Sequence, residues 1–231
     1  MTVAPYYQDE LVTLYHGDCR EITEWLTADV LVTDPPYGRG EAGIDTSNRT
    51  TGRTYVGNNN HAPIAGDEST ELRSAALALW GKRAAVVFGD LRVAAPSGTK
   101  QVAVYRKPPD AGMRSTAGFR RDVEAIYLLH LPAGYGGRSS VVSTSARIQG
   151  GVIGCAGRYG HPHAKPGDVM ETMIAACPPG VVADPFAGSG STLVAAKLLG
   201  RTSIGVEIEE RHCEMAARRL AQDALPFGEA S

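Results

Sequence analysis

The chain has 231 residues, 43% hydrophobic and 21% charged, enough to bury one sizeable core. Its 23 Lys and Arg against 25 Asp and Glu give a net charge of −2, which excludes a uniformly basic nucleic-acid coat but leaves room for a local basic face. The four cysteines, Cys19, Cys155, Cys177 and Cys213, form no CxxC pair, which argues against a zinc site or a disulfide framework and fits a reducing cytoplasm.

The opening MTVAPYYQDE lacks the basic-then-apolar pattern of an export signal, and no apolar run approaches about 18 residues, so neither export nor a membrane span is expected. Leu11 to Tyr15 is apolar and β-prone, Gly17-Asp18 is a turn, and Cys19 to Leu26 is predicted as a short helix. Asp29 to Thr33 is a second apolar strand, and it runs into Asp34-Pro35-Pro36-Tyr37. Both strands are short and apolar nearly throughout, as buried parallel strands are. Residues 38–68 are polar and rich in Gly, Asn and Thr, a length that predicts a mobile functional loop. Ser69 to Trp80 has helical spacing, with Leu72, Ala76, Leu79 and Trp80 on one side. Ala84–Phe88, Gln101–Tyr105 and Val123–Leu129 are strand candidates, and Leu131 to Tyr159 is Gly/Ser-rich with scattered arginines.

The C-terminal part reads more clearly. Val181 to Ala183 is a short strand leading into DPFAGSGS. Ser191 to Leu199 is a helix that Gly200 stops, and Thr202 to Val206 is a strand ending at Glu207. Glu209 to Ala221 is a helix with acidic residues early and Arg218 and Arg219 late, which matches the helix dipole. Alternating strands and helices predict an α/β fold with a mostly parallel sheet, in a single domain over residues 1–231.

Two stretches carry chemistry. A strand, then Gly188-Ser189-Gly190, then a helix beginning at Ser191 lets backbone approach a ligand and offers free N–H donors. Glu207 lies about 20 residues beyond Asp184, the distance at which an acidic side chain accepts ribose hydroxyls. No Lys follows the glycines, and Leu193 stands where a dinucleotide fingerprint has its third glycine, so a triphosphate or a dinucleotide is disfavoured. Asp184 would repel a pyrophosphate but suits a ligand ammonium. The second stretch is Asp34-Pro35-Pro36-Tyr37. Consecutive prolines fix the backbone and remove two N–H groups, so the Pro35 carbonyl and the Asp34 carboxylate become two fixed acceptors. Two such acceptors bind both protons of an exocyclic NH2 and direct its lone pair outward, while Tyr37 can stack on the ring that carries the amine. A duplex base reaches such a pocket only when flipped out of the stack.

Together these stretches resemble the amino-group DNA methyltransferases: DPPY looks like their catalytic motif and DPFAGSGS like their cofactor motif. The catalytic motif comes first, which is the order of the family's beta class. YHGDC with DVLVTDPPYG, the HPxxKP run from His161 to Pro166, and FRRDVEAIYLL from Phe119 to Leu129 are similar to further family blocks. The resemblance implies a Rossmann-like methyltransferase fold with a mostly parallel seven-stranded sheet, circularly permuted. The C-terminal strands would become its first and second, and the N-terminal strands its third and fourth. Asp18, Asp34, Asp184 and Glu207 would then converge at the carboxyl ends of the strands.

Carried over residue by residue, the resemblance makes S-adenosylmethionine the cofactor, with no metal. Asp34, Pro35, Pro36 and Tyr37 would be catalytic. Asp18 and Cys19 would lie near the cofactor's adenine and Glu207 at its ribose. Asp34, Asp184, Phe186, Gly188, Ser189, Gly190 and Ser191 would surround its methionine part. His161 and Lys165 would reach the methionine carboxylate or hold the turn. The implied activity is methylation of a flipped base in double-stranded DNA. Asp rather than Ser before the prolines favours N6 of adenine over N4 of cytosine. RNA, a protein glutamine amide, or mere cofactor binding without catalysis are the more distant readings. Arg39, Arg49 and Arg53 in the mobile loop, and Arg138, Arg147 and Arg158 in a target-recognition stretch at about 131–160, would contact DNA. So short a stretch implies a short target sequence, or help from a second subunit in a homodimer. A restriction endonuclease companion is a partner the resemblance allows and the residues do not specify.

Overall fold

The computed structural model describes residues 3–38, 66–108, 119, 121–132, 137–145, 148–149, 152–153 and 164–222. Eleven strands occur among them: β1 Tyr7–Gln8, β2 Val12–His16, β3 Val30–Thr33, β4 Ala85–Gly89, β5 Thr99–Arg106, β6 Val123–Leu129, β7 Val141–Ser143, β8 Ile148–Gln149, β9 Val152–Ile153, β10 Val182–Asp184 and β11 Ser203–Glu207. The helices are α1 Glu71–Trp80, α2 Gly167–Ala175, α3 Ser191–Leu198 and α4 Glu210–Gln222, with a short 3-10 helix at Glu24–Thr27.

Nine strands form one sheet in the order β1-β2-β11-β10-β3-β4-β6-β5-β7, and β8 and β9 form a separate hairpin. From β2 to β4 every pairing is parallel, and β6 runs antiparallel between β4 and β5. The C-terminal strands β10 and β11 thus stand in the middle of the sheet, between the N-terminal β2 and β3. This is the circularly permuted, Rossmann-like methyltransferase arrangement that the resemblance implies. It has two additions: β1 folds back antiparallel on β2, and β7 pairs with β5 at the other edge.

The core explains the order. Val30 and Val32 of β3 and Val86 and Phe88 of β4 pack on one face with Val169, Met170, Met173 and Ile174 of α2. Leu31, Ala85 and Val87 point to the opposite face, against Trp25, Ala76 and Trp80. Strands apolar at every position are therefore buried on both faces, as the absence of alternation predicts. On the α1 side Trp25 and Trp80 stack at 5.8 Å, with the Arg83 guanidinium 3.5 Å above the Trp80 ring. On the α2 face, next to α3, lies α4, with Cys213, Ala216 and Leu220 packed with Val12 and Leu14 of β2.

Three local expectations differ from the structure. Residues 19–26 make a turn and the 3-10 helix rather than one continuous helix. On α1, Leu79 is exposed and Arg73 takes a buried position, donating from Nη2 to the Ala94 carbonyl at 3.0 Å. Helix α2 was not anticipated, because Gly167 opens it directly after Lys165-Pro166. The expected mobile loop lies almost wholly outside the described residues. So does much of the expected recognition stretch, whose described parts include β7, β8 and β9.

Candidate active site

Strand β3 delivers Asp34-Pro35-Pro36-Tyr37 to the carboxyl edge of the sheet. The Tyr37 hydroxyl donates to Asp34 Oδ1 at 2.8 Å, and Lys165 Nζ donates to Asp34 Oδ2 at 2.5 Å and to the Tyr37 hydroxyl at 3.0 Å. Lys165 is only 8% exposed. Its third neighbour is Glu124 of β6, with Oε2 at 3.4 Å, and Glu124 Oε1 takes Lys107 Nζ at 2.7 Å. Two carboxylates and two ammonium groups thus balance in charge inside the wall of the site. Burial alone would depress the Lys165 ammonium, but Asp34 and Glu124 more than offset it and hold it above its usual range. Burial also pushes the Glu124 carboxyl up, and the two lysines outweigh this, holding it at about 2.

Next to β3, β10 ends at Asp184. Val182 pairs with Val30 and Ala183 with Leu31, so the two motifs meet across adjacent strands. The Thr33 hydroxyl donates to Asp184 Oδ1 at 2.6 Å, joining them directly, and the Phe186 N–H reaches the same oxygen at 3.1 Å. Burial drives the Asp184 carboxyl up to about 7, against the opposing pull of Thr192, Thr33 and the Phe186 N–H. A carboxyl raised in the fold contributes stability below its unfolded value near 4, and this is lost as pH rises through about 7. Asp184→Asn, which cannot ionise, should therefore gain on the wild type by about 2–3 kcal/mol between pH 5 and pH 8. Urea unfolding at both pH values checks this, and a gap that does not change with pH contradicts it.

The glycine turn follows. Gly188 has φ +51°, and a Cβ built there would meet nothing nearer than the Phe186 carbonyl oxygen at 4.0 Å. The backbone at Gly188 therefore borders open space, the room a ligand would take. Gly190 has φ +81°, and a Cβ there would stand 2.9 Å from the Ala216 Cβ, so this glycine instead serves the close packing of α3 on α4. Ser189 and Ser191 also face inward: Arg219 Nη1 donates to the Ser189 carbonyl oxygen at 2.6 Å and to the two hydroxyls at 3.1 and 3.3 Å. Glu207 ends β11, with Oε2 accepting from Gly188 N–H at 2.7 Å and Oε1 from Glu209 N–H at 2.8 Å. Burial pushes its carboxyl up, but His212 and the two N–H groups outweigh that and hold it below its usual range. Across β11, the Glu207 carbonyl accepts from Gly17 N–H at 2.8 Å. Asp18 and the buried Cys19 come next, and Asp18 is paired with Arg20 at 2.5 Å.

The edge therefore reads in one line: Asp18 and Cys19, then Glu207, Gly188, Asp184, Asp34 and Tyr37, and finally Lys165 and Glu124. Of the other expected residues, His161, Arg39, Arg49, Arg53, Arg147 and Arg158 lie outside the described residues. Arg138 rests on the last turn of α2, donating to the Ala175 carbonyl at 3.2 Å. Sequence reasoning missed Glu124, Lys107 and Thr33. The available signal was an acidic residue inside VEAIYLL, an otherwise apolar strand. Burial pushes the thiols of Cys19, Cys177 and Cys213 up to about 12, far from thiolate chemistry. Among the described residues no three or more His, Cys, Asp or Glu side chains are grouped to hold a metal ion, and no helix is long and apolar enough to cross a membrane.

Comparison with known proteins points to one family. A family model described as DNA methylase, N6_N4_Mtase, matches residues 96–218, more than half of the chain. The type II methyltransferase M.ScaI of Streptomyces caespitosus is 45% identical over 69 residues, 29% of this chain and 23% of that protein. M.HinfI of Haemophilus influenzae is 38% identical over 68 residues, 29% of this chain and 19% of that protein. The matches thus span about a quarter or less of these relatives' length. Among solved structures, M1.HpyAVI in complex with SAM has a TM-score of 0.59 at 19% identity, covering 91% of this chain and 99% of that one. The cytosine-N4-specific PvuII DNA methyltransferase has a TM-score of 0.64 at 14% identity, covering 99% of this chain and 91% of that one. At these identities the structures show a shared fold.

Proposed function

This chain belongs to the N6_N4_Mtase family of DNA methylases, and from that premise we propose that it methylates the exocyclic amino group of a flipped base in double-stranded DNA, at N6 of adenine. The observation that carries the reading is the Thr33–Asp184 hydrogen bond of 2.6 Å, which puts the amine-binding turn and the glycine turn side by side at one sheet edge. Open α/β sheets bind ligands there, where the direction of winding reverses.

The residues present fit S-adenosylmethionine. The backbone at Gly188 borders open space and donates its N–H to the Glu207 carboxylate, which would suit a ribose diol, while Asp184 would suit an ammonium. Asp18 and Cys19 would flank the adenine, and Phe186 with the backbone of residues 188–191 would border the methionine part. When bound, this cofactor supplies an electrophilic methyl group on a sulfonium. The chain's own residues orient the nucleophile. Asp34 and the Pro35 carbonyl accept the two amine protons and stabilise the charge that grows on the nitrogen. Lys165 donates to Asp34 and Tyr37 and pairs with Glu124, which favours holding the DPPY turn over reaching the cofactor's carboxylate. Tyr37 is anchored through its hydroxyl, which keeps its ring beside the incoming base. A residue 34 that is Asp favours adenine.

The protein would act as one domain in the cytoplasm, with the arginines at 39, 49, 53, 138, 147 and 158 toward DNA and a second copy assisting recognition. The test is a product analysis. DNA incubated with methyl-labelled cofactor and the protein is digested to nucleosides, and label is expected in N6-methyl-2′-deoxyadenosine. Label in N4-methylcytosine overturns the choice of base. Label only in RNA or protein, or in no polymer at all, overturns the activity.

A further inference from the structure

Glu124 contacts both Lys165 and Lys107 of the charge cluster. Its backbone is fixed by pairing with Tyr105 of β5, and β6 is paired on its other side with β4. One carboxylate oxygen is 2.7 Å from Lys107, which follows β5 and is itself tied down by its N–H on the Asp122 carbonyl at 2.7 Å. The other oxygen faces Lys165 at 3.4 Å and the Tyr37 hydroxyl at 3.4 Å. Lys165 stands directly ahead of α2, on a segment outside the sheet. Of the two carboxylates at its ammonium, Asp34 follows the end of β3, whereas Glu124 lies within β6.

We propose that Glu124 is a positioning residue for methyl transfer: anchored by Lys107, it fixes the Lys165 ammonium, and through it the Asp34 carboxylate and the Tyr37 hydroxyl that meet the base. This rests on the reading of Asp34 as acceptor of the base amine. The physical reason is directional. With two carboxylates in contact with it, the ammonium sits at a point that both define. With Asp34 alone it is free to follow that side chain, and the acceptor is no longer held against the amine. Displacements of about 1 Å at a reacting centre cost on the order of 10²-fold in rate.

Glu124→Gln keeps the size and removes the charge. It should lower kcat by roughly 30-fold, with KM for DNA and cofactor changed less than about 3-fold, the signature of an interaction used in the transition state. Cofactor affinity measured by calorimetry without DNA should stay within about 3-fold, because Glu207 and Gly188 lie strands away. Glu124→Asp, which keeps the charge, should recover part of kcat. Melting temperature gives a readout that needs no activity. Glu124→Gln should lower it by more in the wild type than in a Lys165→Met background, because there the interaction with Lys165 is already gone and only the Lys107 pair remains to be lost. If Lys165→Met fails to fold, Lys165→Gln serves as the background in the same cycle. A wild-type kcat in Glu124→Gln, or melting effects that simply add, overturns the proposal. A wild-type protein that labels no base overturns the functional reading instead, and the melting cycle still decides whether Glu124 acts through Lys165.

Discussion

Asp34→Ala is expected to abolish transfer to the base, lowering kcat by at least about 10²–10³-fold, the usual cost of removing a charge-stabilising group from a dry site. The amine loses its charged acceptor, and its nitrogen becomes positive as the new bond forms. The Pro35 carbonyl, still held by the proline pair, accounts for what remains. Cofactor binding should survive, since the Glu207 carboxylate and the open backbone at Gly188 are untouched. Single-turnover transfer from labelled cofactor, beside calorimetric cofactor titration, separates the two steps. Transfer within tenfold of the wild type would remove Asp34 from the chemistry. Loss of cofactor binding with transfer rescued at saturating cofactor would make Asp34 a binding residue only. Folding is preserved in this variant because Lys165 keeps Glu124 as its counter-charge.

Lys165→Met should have the largest effect on stability. It leaves Asp34 and Glu124 in the wall of the site with Lys107 as the remaining cation, and breaking a buried pair by removing one partner costs about 3–5 kcal/mol. For a chain of this size that is roughly 10 °C in melting temperature. The pH dependence distinguishes lost charge balance from lost packing. In the wild type Glu124 is held at about 2, so its contribution is complete above its ordinary value and fades only as pH falls towards 2. Without Lys165, Glu124 keeps Lys107 but loses its largest opposing charge, so its carboxyl rises from about 2 and the variant protonates it at a higher pH than the wild type does. The deficit of Lys165→Met should therefore shrink as pH falls from about 5 towards 2. Melting at a series of pH values checks this, and a deficit independent of pH would mean that the methylene stem, not the ammonium, supports the site.

What the amino-acid order alone determined is the local grammar. Strands apolar at every position announced burial on both faces. DPPY after one strand and a glycine turn after another marked two ligand-facing ends, and Glu207 at its spacing marked a third. These signals are legible because they depend on backbone geometry and near neighbours: prolines fix φ, glycines adopt positive φ, and a strand ends where its apolar run ends. The resemblance added the permuted strand order, and the sheet has it, with β10 and β11 between β2 and β3. Other features depended on partners far along the chain. Lys165 carries no local sign of burial, and only the fold brings it against Asp34, 131 positions away. Ser189 and Ser191 lie in the glycine turn, but α4 places Arg219 over their hydroxyls. Glu124 stands in an otherwise apolar strand, and its two lysines come from just after β5 and from the segment before α2. A buried charge is tolerated only where opposite charges meet it, and no local pattern encodes that meeting. Tertiary structure alone decided which acidic side chains face a ligand and which hold the wall behind it.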